Sequence, residues 1–127
     1  MELSTIEMQG DKIPILCTME VLEELQSAFG SVKEFSDKLA PQYDTEGELV
    51  PGWMPDIHAV IYALPKFINE GIEVHNLTNQ IKIDKMTPKQ IFQRCDQPLL
   101  SVSLALYREL WRSIIGPKPQ PRTEESQ

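Results

Sequence analysis

Cysteine and histidine are scarce in this sequence, with Cys17, Cys95, His58 and His75 the only ones in 127 residues. Two thiols build no disulfide framework, and no spacing of cysteine, histidine or carboxylate matches a zinc or other metal site. Each cysteine lies among apolar neighbours, where a reduced thiol acts as a small hydrophobe. Long apolar runs are missing too: none approaches the roughly 18 residues of a membrane span. The opening MELSTIEMQG has neither the basic flank nor the apolar block of a signal peptide. A cytoplasmic protein with no membrane partner and no cofactor is expected.

Basic residues are the minority, 12 against 19 acidic ones, for a net charge of −7. Binding a phosphate backbone needs clustered lysine and arginine, and no window holds them, so nucleic acid is not an expected partner. An acidic chain stays soluble and suits a basic or apolar partner. There is no GxxxxGK phosphate loop, and aromatics do not alternate with basic residues as a single-strand stacking platform requires.

Catalytic groups are equally thin. A nucleophile pair of Cys95 and His58 lacks a third, orienting group. Glu20, Glu23 and Glu24 are spaced for the solvent side of an amphipathic helix rather than for acid–base work. A non-enzymatic protein is expected.

What is present is dense local patterning. STIEMQGDKIPIL has the form of a β-hairpin over about residues 4–16, with Gly10-Asp11 as a two-residue loop. That register sets Met8 against Ile13 and Ile6 against Ile15, making one face apolar, with Pro14 directed to the outer edge. In CTMEVLEELQSAFGSVKEF, Thr18 is the N-cap of a helix carrying Val21, Leu22, Leu25 and Phe29 inward. Gly30 ends it. Ser31 and Glu34 recap a second short helix with Val32, Phe35 and Leu39 inward.

Residues 40–55 hold three prolines and two glycines and display Tyr43, Val50, Trp53 and Met54. A loop this long calls for a reason: a lid folded onto the core, or an exposed contact surface. Asp56 caps a helix with Ile57, Val60, Ile61, Leu64, Phe67 and Ile68 inward, interrupted by Pro65 and ended by Gly71. Ile81 and Ile83 alternate with charges, leaving a short third strand or a loop as readings. Thr87, Pro88 and Gln90 form a strong helix start, followed by Ile91, Phe92 and Cys95 facing inward. A last helix from about Pro98 presents Leu99, Val102, Leu106, Leu110 and Ile114, and Gly116 caps it. The polar segment 117–127 has nothing to bury and is expected to be a disordered tail.

The expected fold is α+β and mostly α: an N-terminal β-hairpin packed on a bundle of about four to five helices, in one globular domain over residues 1–116. For function, the long loop, the acidic first helix and a final helix bearing Trp111 point to a protein-binding module.

The order of elements, with Thr18, Leu22-Glu23-Glu24-Leu25, Phe29-Gly30-Ser31 and Phe35 in the first two helices, resembles the tail assembly chaperones of long-tailed (siphovirus-type) bacteriophages and prophages. Thr87 with Ile91 and the amphipathic last helix extend the resemblance over about residues 4–115. The long 40–55 loop and Pro65 depart from that pattern. The resemblance implies a chaperone that binds the tape measure protein and keeps it soluble until the tail tube protein polymerises. It also implies residence in the host bacterial cytoplasm and absence from the mature virion. Met19, Trp53, Met54 and Trp111 are the candidate partner-binding residues, and a homo-oligomer stays open. The competing expectation is a structural head–tail connector or tail completion protein, which would form stable rings and remain in virions.

Overall fold

The structure, a computed structural model, describes residues 2–116; the expected tail at 117–127 lies outside the described residues. Two strands, β1 (Ser4–Met8) and β2 (Asp11–Ile15), are followed by five helices. These are α1 (Met19–Phe29), α2 (Val32–Leu39), α3 (Ile57–Thr78), α4 (Pro88–Arg94) and α5 (Leu99–Ile115). The fold is α+β and mostly α, with the hairpin's apolar face closed by helices.

The hairpin turns one residue earlier than its sequence suggests. Gln9 and Gly10 form the loop, both at positive φ (54° and 85°), so the turn is type I′ rather than glycine-first. The pairs are Ser4 with Ile15, Ile6 with Ile13 and Met8 with Asp11. This register differs by two from the expected one, and a two-residue shift leaves every side chain on its face. Ile6, Met8, Ile13 and Ile15 are therefore all buried. Gln9 is held in its unusual conformation from the end of α4 and the turn after it: its backbone N–H donates to Asp96 Oδ2 (3.2 Å), and its Oε1 accepts from Arg94 Nε (3.2 Å).

The two capped helices form as their residues dictate. Thr18 Oγ1 accepts from Val21 N (3.3 Å), Gly30 closes α1 at φ 91°, and Ser31 Oγ accepts from Glu34 N (3.0 Å). Val21, Leu25, Phe35 and Leu39 enter the core. In α4, Thr87 and Gln90 make the full reciprocal capping box.

The main correction concerns Gly71. It does not end α3, which continues to Thr78 over 22 residues, about 33 Å. Ile68 and Ile72 are fully buried on either side of it. Gly71 is the point where α3 crosses β2: a Cβ there would lie 2.5 Å from the Pro14 carbonyl carbon and 2.7 Å from Ile15 N. Beside the crossing, Leu16 N donates to Phe67 O (2.9 Å), a helix carbonyl. The outer edge of β2 is thus covered by a helix at its Pro14–Leu16 end. Pro14 falls at a pair that exchanges no hydrogen bonds with β1, so its missing N–H removes no rung of the hairpin.

No third strand forms at residues 81–83. Instead two asparagines, one heptad apart on α3, bind the returning chain as a strand would. Asn76 donates to Ile83 O (2.8 Å) and accepts from Ile83 N (2.9 Å). Asn69 does the same at Met86, at 2.9 and 3.1 Å. Side-chain amides carry both a donor and an acceptor, so each satisfies one residue's backbone without a sheet.

Four residues expected to face inward do not. Ile57 and Ile61 are 48% and 47% exposed because the first turns of α3 meet the core through Ala59, Val60, Ala63 and Leu64, which leaves those two on the flank. Phe92 is exposed because the short α4 reaches the core through Ile91, and Ile114 because it lies near the end of α5.

Candidate protein-binding surfaces

The long loop is a braced structure. Asp44 Oδ1 accepts from Glu46 N and Glu48 N (both 2.9 Å), Gly47 N bonds Asp44 O (3.1 Å), and Tyr43 bridges Leu49. Val50 N reaches Gln42 O (2.9 Å), and Trp53 N reaches Val50 O (3.0 Å). Asp56 N bonds Lys38 O (3.0 Å), tying the end of the loop back to α2. Pro55 is buried and Trp53 half-buried, which anchors the base.

The rest of the loop is not a lid. Tyr43, Leu49 and Met54 are exposed, Met54 by 57%, and Ile57 and Ile61 continue the exposed apolar series one helical turn apart. Exposed apolar residues in series on a hydrogen-bonded loop and helix start mark an interaction surface more than scattered ones do. Behind them Phe29, His58 and Tyr62 stack with ring centroids 5.4–6.4 Å apart, giving the first turn of α3 a firm base.

A second surface lies on α5. Tyr107, Trp111 and Ile115 follow one stripe, joined by Arg108 and Arg112, and with Ser4 and Thr5 of β1 they line a shallow groove of about 720 Å³. Trp111 Nε1 donates to Ser36 Oγ (2.9 Å), which fixes the indole against α2, and Tyr107 packs on it at 6.4 Å.

Beneath that groove is a residue that the sequence reading passed over. Glu109 is buried on α5 and accepts four hydrogen bonds: Ser4 Oγ (2.8 Å), Cys17 N (2.9 Å), Arg112 Nε (2.8 Å) and a terminal Arg112 nitrogen (2.6 Å). It ties the start of β1, the link from β2 to α1, and its own helix together. The bonds that Arg112 donates to the Glu109 carboxylate raise the Arg112 pKa above its ordinary value. Burial pushes the Cys17 thiol up to about 12, so it is an inert packing group. The available signal was spacing: Val102, Leu106 and Glu109 stand at i, i+4 and i+7, on one helix face.

The four residues expected to bind a partner do not converge. Met19 stands 85% exposed at the start of α1. Trp53 and Met54 sit together at the foot of α3, and Trp111 walls the α5 groove. No hydrogen bond or ring contact among the described residues joins these three places. His58 and Cys95 are likewise apart, His58 in the aromatic stack and Cys95 as the C-cap of α4. Among the described residues no group of three or more histidine, cysteine or carboxylate side chains is placed to hold a metal ion. No helix among them is long and apolar enough to cross a membrane. Searches of protein-family models, curated proteins and solved structures returned no match to this chain.

Proposed function

We propose that this chain is a binding protein of the tail assembly chaperone kind, which holds an apolar segment of a tape measure protein and keeps it soluble until the tail tube forms around it. The observation that supports this most directly is the braced loop and helix start that leave Tyr43, Leu49, Met54, Ile57 and Ile61 exposed. A client helix offers apolar residues at i, i+3, i+4 and i+7, and such a helix needs a firm apolar counter-surface of this kind. Met54 and Trp53 lie at its foot. The net charge of −7 keeps the loaded protein soluble. The resemblance carried by the first two helices names the client, and with it the host bacterial cytoplasm as the place of action.

The test is co-expression with a tape measure protein from the same phage genome, followed by soluble-fraction analysis and size exclusion. The client is expected in the soluble fraction, co-eluting with this chain. Ile61→Asp is expected to lower recovery of the complex about tenfold, since a charge replaces apolar area worth about 1 kcal/mol or more. A client that still precipitates while this chain elutes alone as a defined ring would replace the chaperone reading with the connector one.

A further inference from the structure

The two edges of the hairpin are treated differently. The outer edge of β2 is covered by α3 at its Pro14–Leu16 end, through the Gly71 crossing and the bond from Leu16 N to Phe67 O. Among the described residues the outer edge of β1 has no such cover. In a hairpin closed by a two-residue loop between Met8 and Asp11, even-numbered residues of β1 bond to β2, and odd-numbered ones turn their backbone groups outward. The outward backbone groups of Leu3, Thr5 and Glu7 make no hydrogen bond among the described residues. β1 has no proline, no lysine and no bulge along this edge, and Glu7 is its one charged side chain. The α5 groove begins beside it, at Ser4 and Thr5.

We propose that a second copy of this chain docks here, its β1 adding antiparallel to β1 about a two-fold axis and its edge entering the groove along α5. Three features favour a second copy over a foreign strand. First, β1 divides its residues as the sheet requires, with Ile6 and Met8 inward and Thr5 and Glu7 outward, so a copy of β1 continues both faces. Second, the patch holds both halves of a charge match, as an isologous contact needs. The strand carries the exposed Glu7 and follows the exposed Glu2, while the helix carries Arg108, exposed and without an ion pair among the described residues. A register with Thr5 opposite Thr5 sets Leu3 against Glu7 of the other copy and keeps like charges apart. Third, growth stops at two chains. Both outer edges of the resulting four-stranded sheet belong to β2, where α3 crosses at Pro14 and Ile15 and where the proline and the exposed Lys12 blunt the edge. The inference is independent of the client surface at Met54 and Ile61, which lies on other elements.

Light scattering coupled to size exclusion, on the full chain over a range from low to several hundred micromolar, reads the mass directly. A species of twice 14.5 kDa is expected. Thr5→Pro removes one outward donor without touching a bond to β2, and the substitution acts twice in a two-fold contact. It is expected to raise the dimer dissociation constant about tenfold to a hundredfold while the circular dichroism spectrum stays unchanged. Arg108→Glu is expected to weaken the dimer as well, and the Thr5 and Glu7 amides of the unmodified chain should gain hydrogen-exchange protection as concentration rises. A chain that is monomeric throughout overturns the proposal, and so does a dimer that Thr5→Pro leaves at full affinity. If Thr5→Pro fails to fold, exchange decides: a dimer whose Thr5 and Glu7 amides exchange as fast as in dilute solution refutes it.

Discussion

Alanine at Gly71 would separate tertiary packing from helix propensity, because the two predict opposite signs. In an exposed helix interior, glycine to alanine stabilises by about 1 kcal/mol. Here the new methyl would sit 2.5 Å from the Pro14 carbonyl carbon and 2.7 Å from Ile15 N. Both are backbone atoms, so no side chain can swing away, and β2 must move as a unit by about 1 Å to restore ordinary van der Waals contact. Such overpacking costs about 2 kcal/mol, and the displacement strains the bond from Leu16 N to Phe67 O, worth about 1 kcal/mol. With the propensity gain subtracted, the net loss is about 2 kcal/mol. At about 4 °C per kcal/mol for a chain of this size, the melting temperature should fall by about 8 °C. Urea unfolding followed by the fluorescence of Trp53 and Trp111 gives the free energy, and faster hydrogen exchange at the Leu16 amide localises the damage. A variant as stable as the parent, or more so, would refute the claim that α3 and β2 are in contact at Gly71.

Two further perturbations test the buried polar group and the buried thiol. Glu109→Gln leaves Arg112 without its charge partner and turns an amide NH₂ toward groups that donate; a loss of about 3 kcal/mol is expected in urea unfolding, with fraying of β1 visible as faster exchange around Ser4. The Cys17 thiol, at about 12 in the folded chain against 9.0 for the unperturbed group, keeps its proton longer in the folded state than in the unfolded one. Its contribution is therefore intact below pH 9 and is lost as pH rises from 9 toward 12, by about 1.4 kcal/mol per pH unit. Between pH 8 and 10.5 the parent should lose about 2 kcal/mol more than Cys17→Ala does, and equal losses would place Cys17 outside the buried core.

Local chemistry in the sequence was sufficient for helix starts. Thr18, Ser31, Asp56 and Thr87 each accept a hydrogen bond from the backbone three residues on, because a side-chain oxygen and an orphan N–H three positions apart meet whatever surrounds them. Gly30 ended α1 for a similarly local reason, since it alone avoids a steric cost at φ 91°. The apolar face of the hairpin was also legible from period-two alternation, and it survived a two-residue error in register because faces repeat every two residues.

The positions that went astray depend on what lies across the fold. Gly71 carries the same residue type as Gly30, yet one ends a helix and the other admits a strand beside it; only the Pro14 carbonyl distinguishes them. Glu109 has the composition of a surface residue and the position of a core one, and its burial is tolerable because Arg112, Ser4 and the Cys17 amide meet it there. Ile57 and Ile61 have the spacing of a core face but lie on the flank of the one that Ala59, Val60, Ala63 and Leu64 bury. The residues 40–55 announced themselves by their prolines and aromatics, whereas the bonds from Asp44, and from Asp56 to Lys38, decided that they stand as a surface and not a lid. The sequence by itself determined where the elements begin, which strand face is apolar and which charges the chain bears, because those follow from contacts within a few residues. Which edge of the hairpin a helix covers, which apolar residues of α3 remain outside and where a buried carboxylate is satisfied were decided by tertiary structure alone, because each depends on atoms far away in the chain.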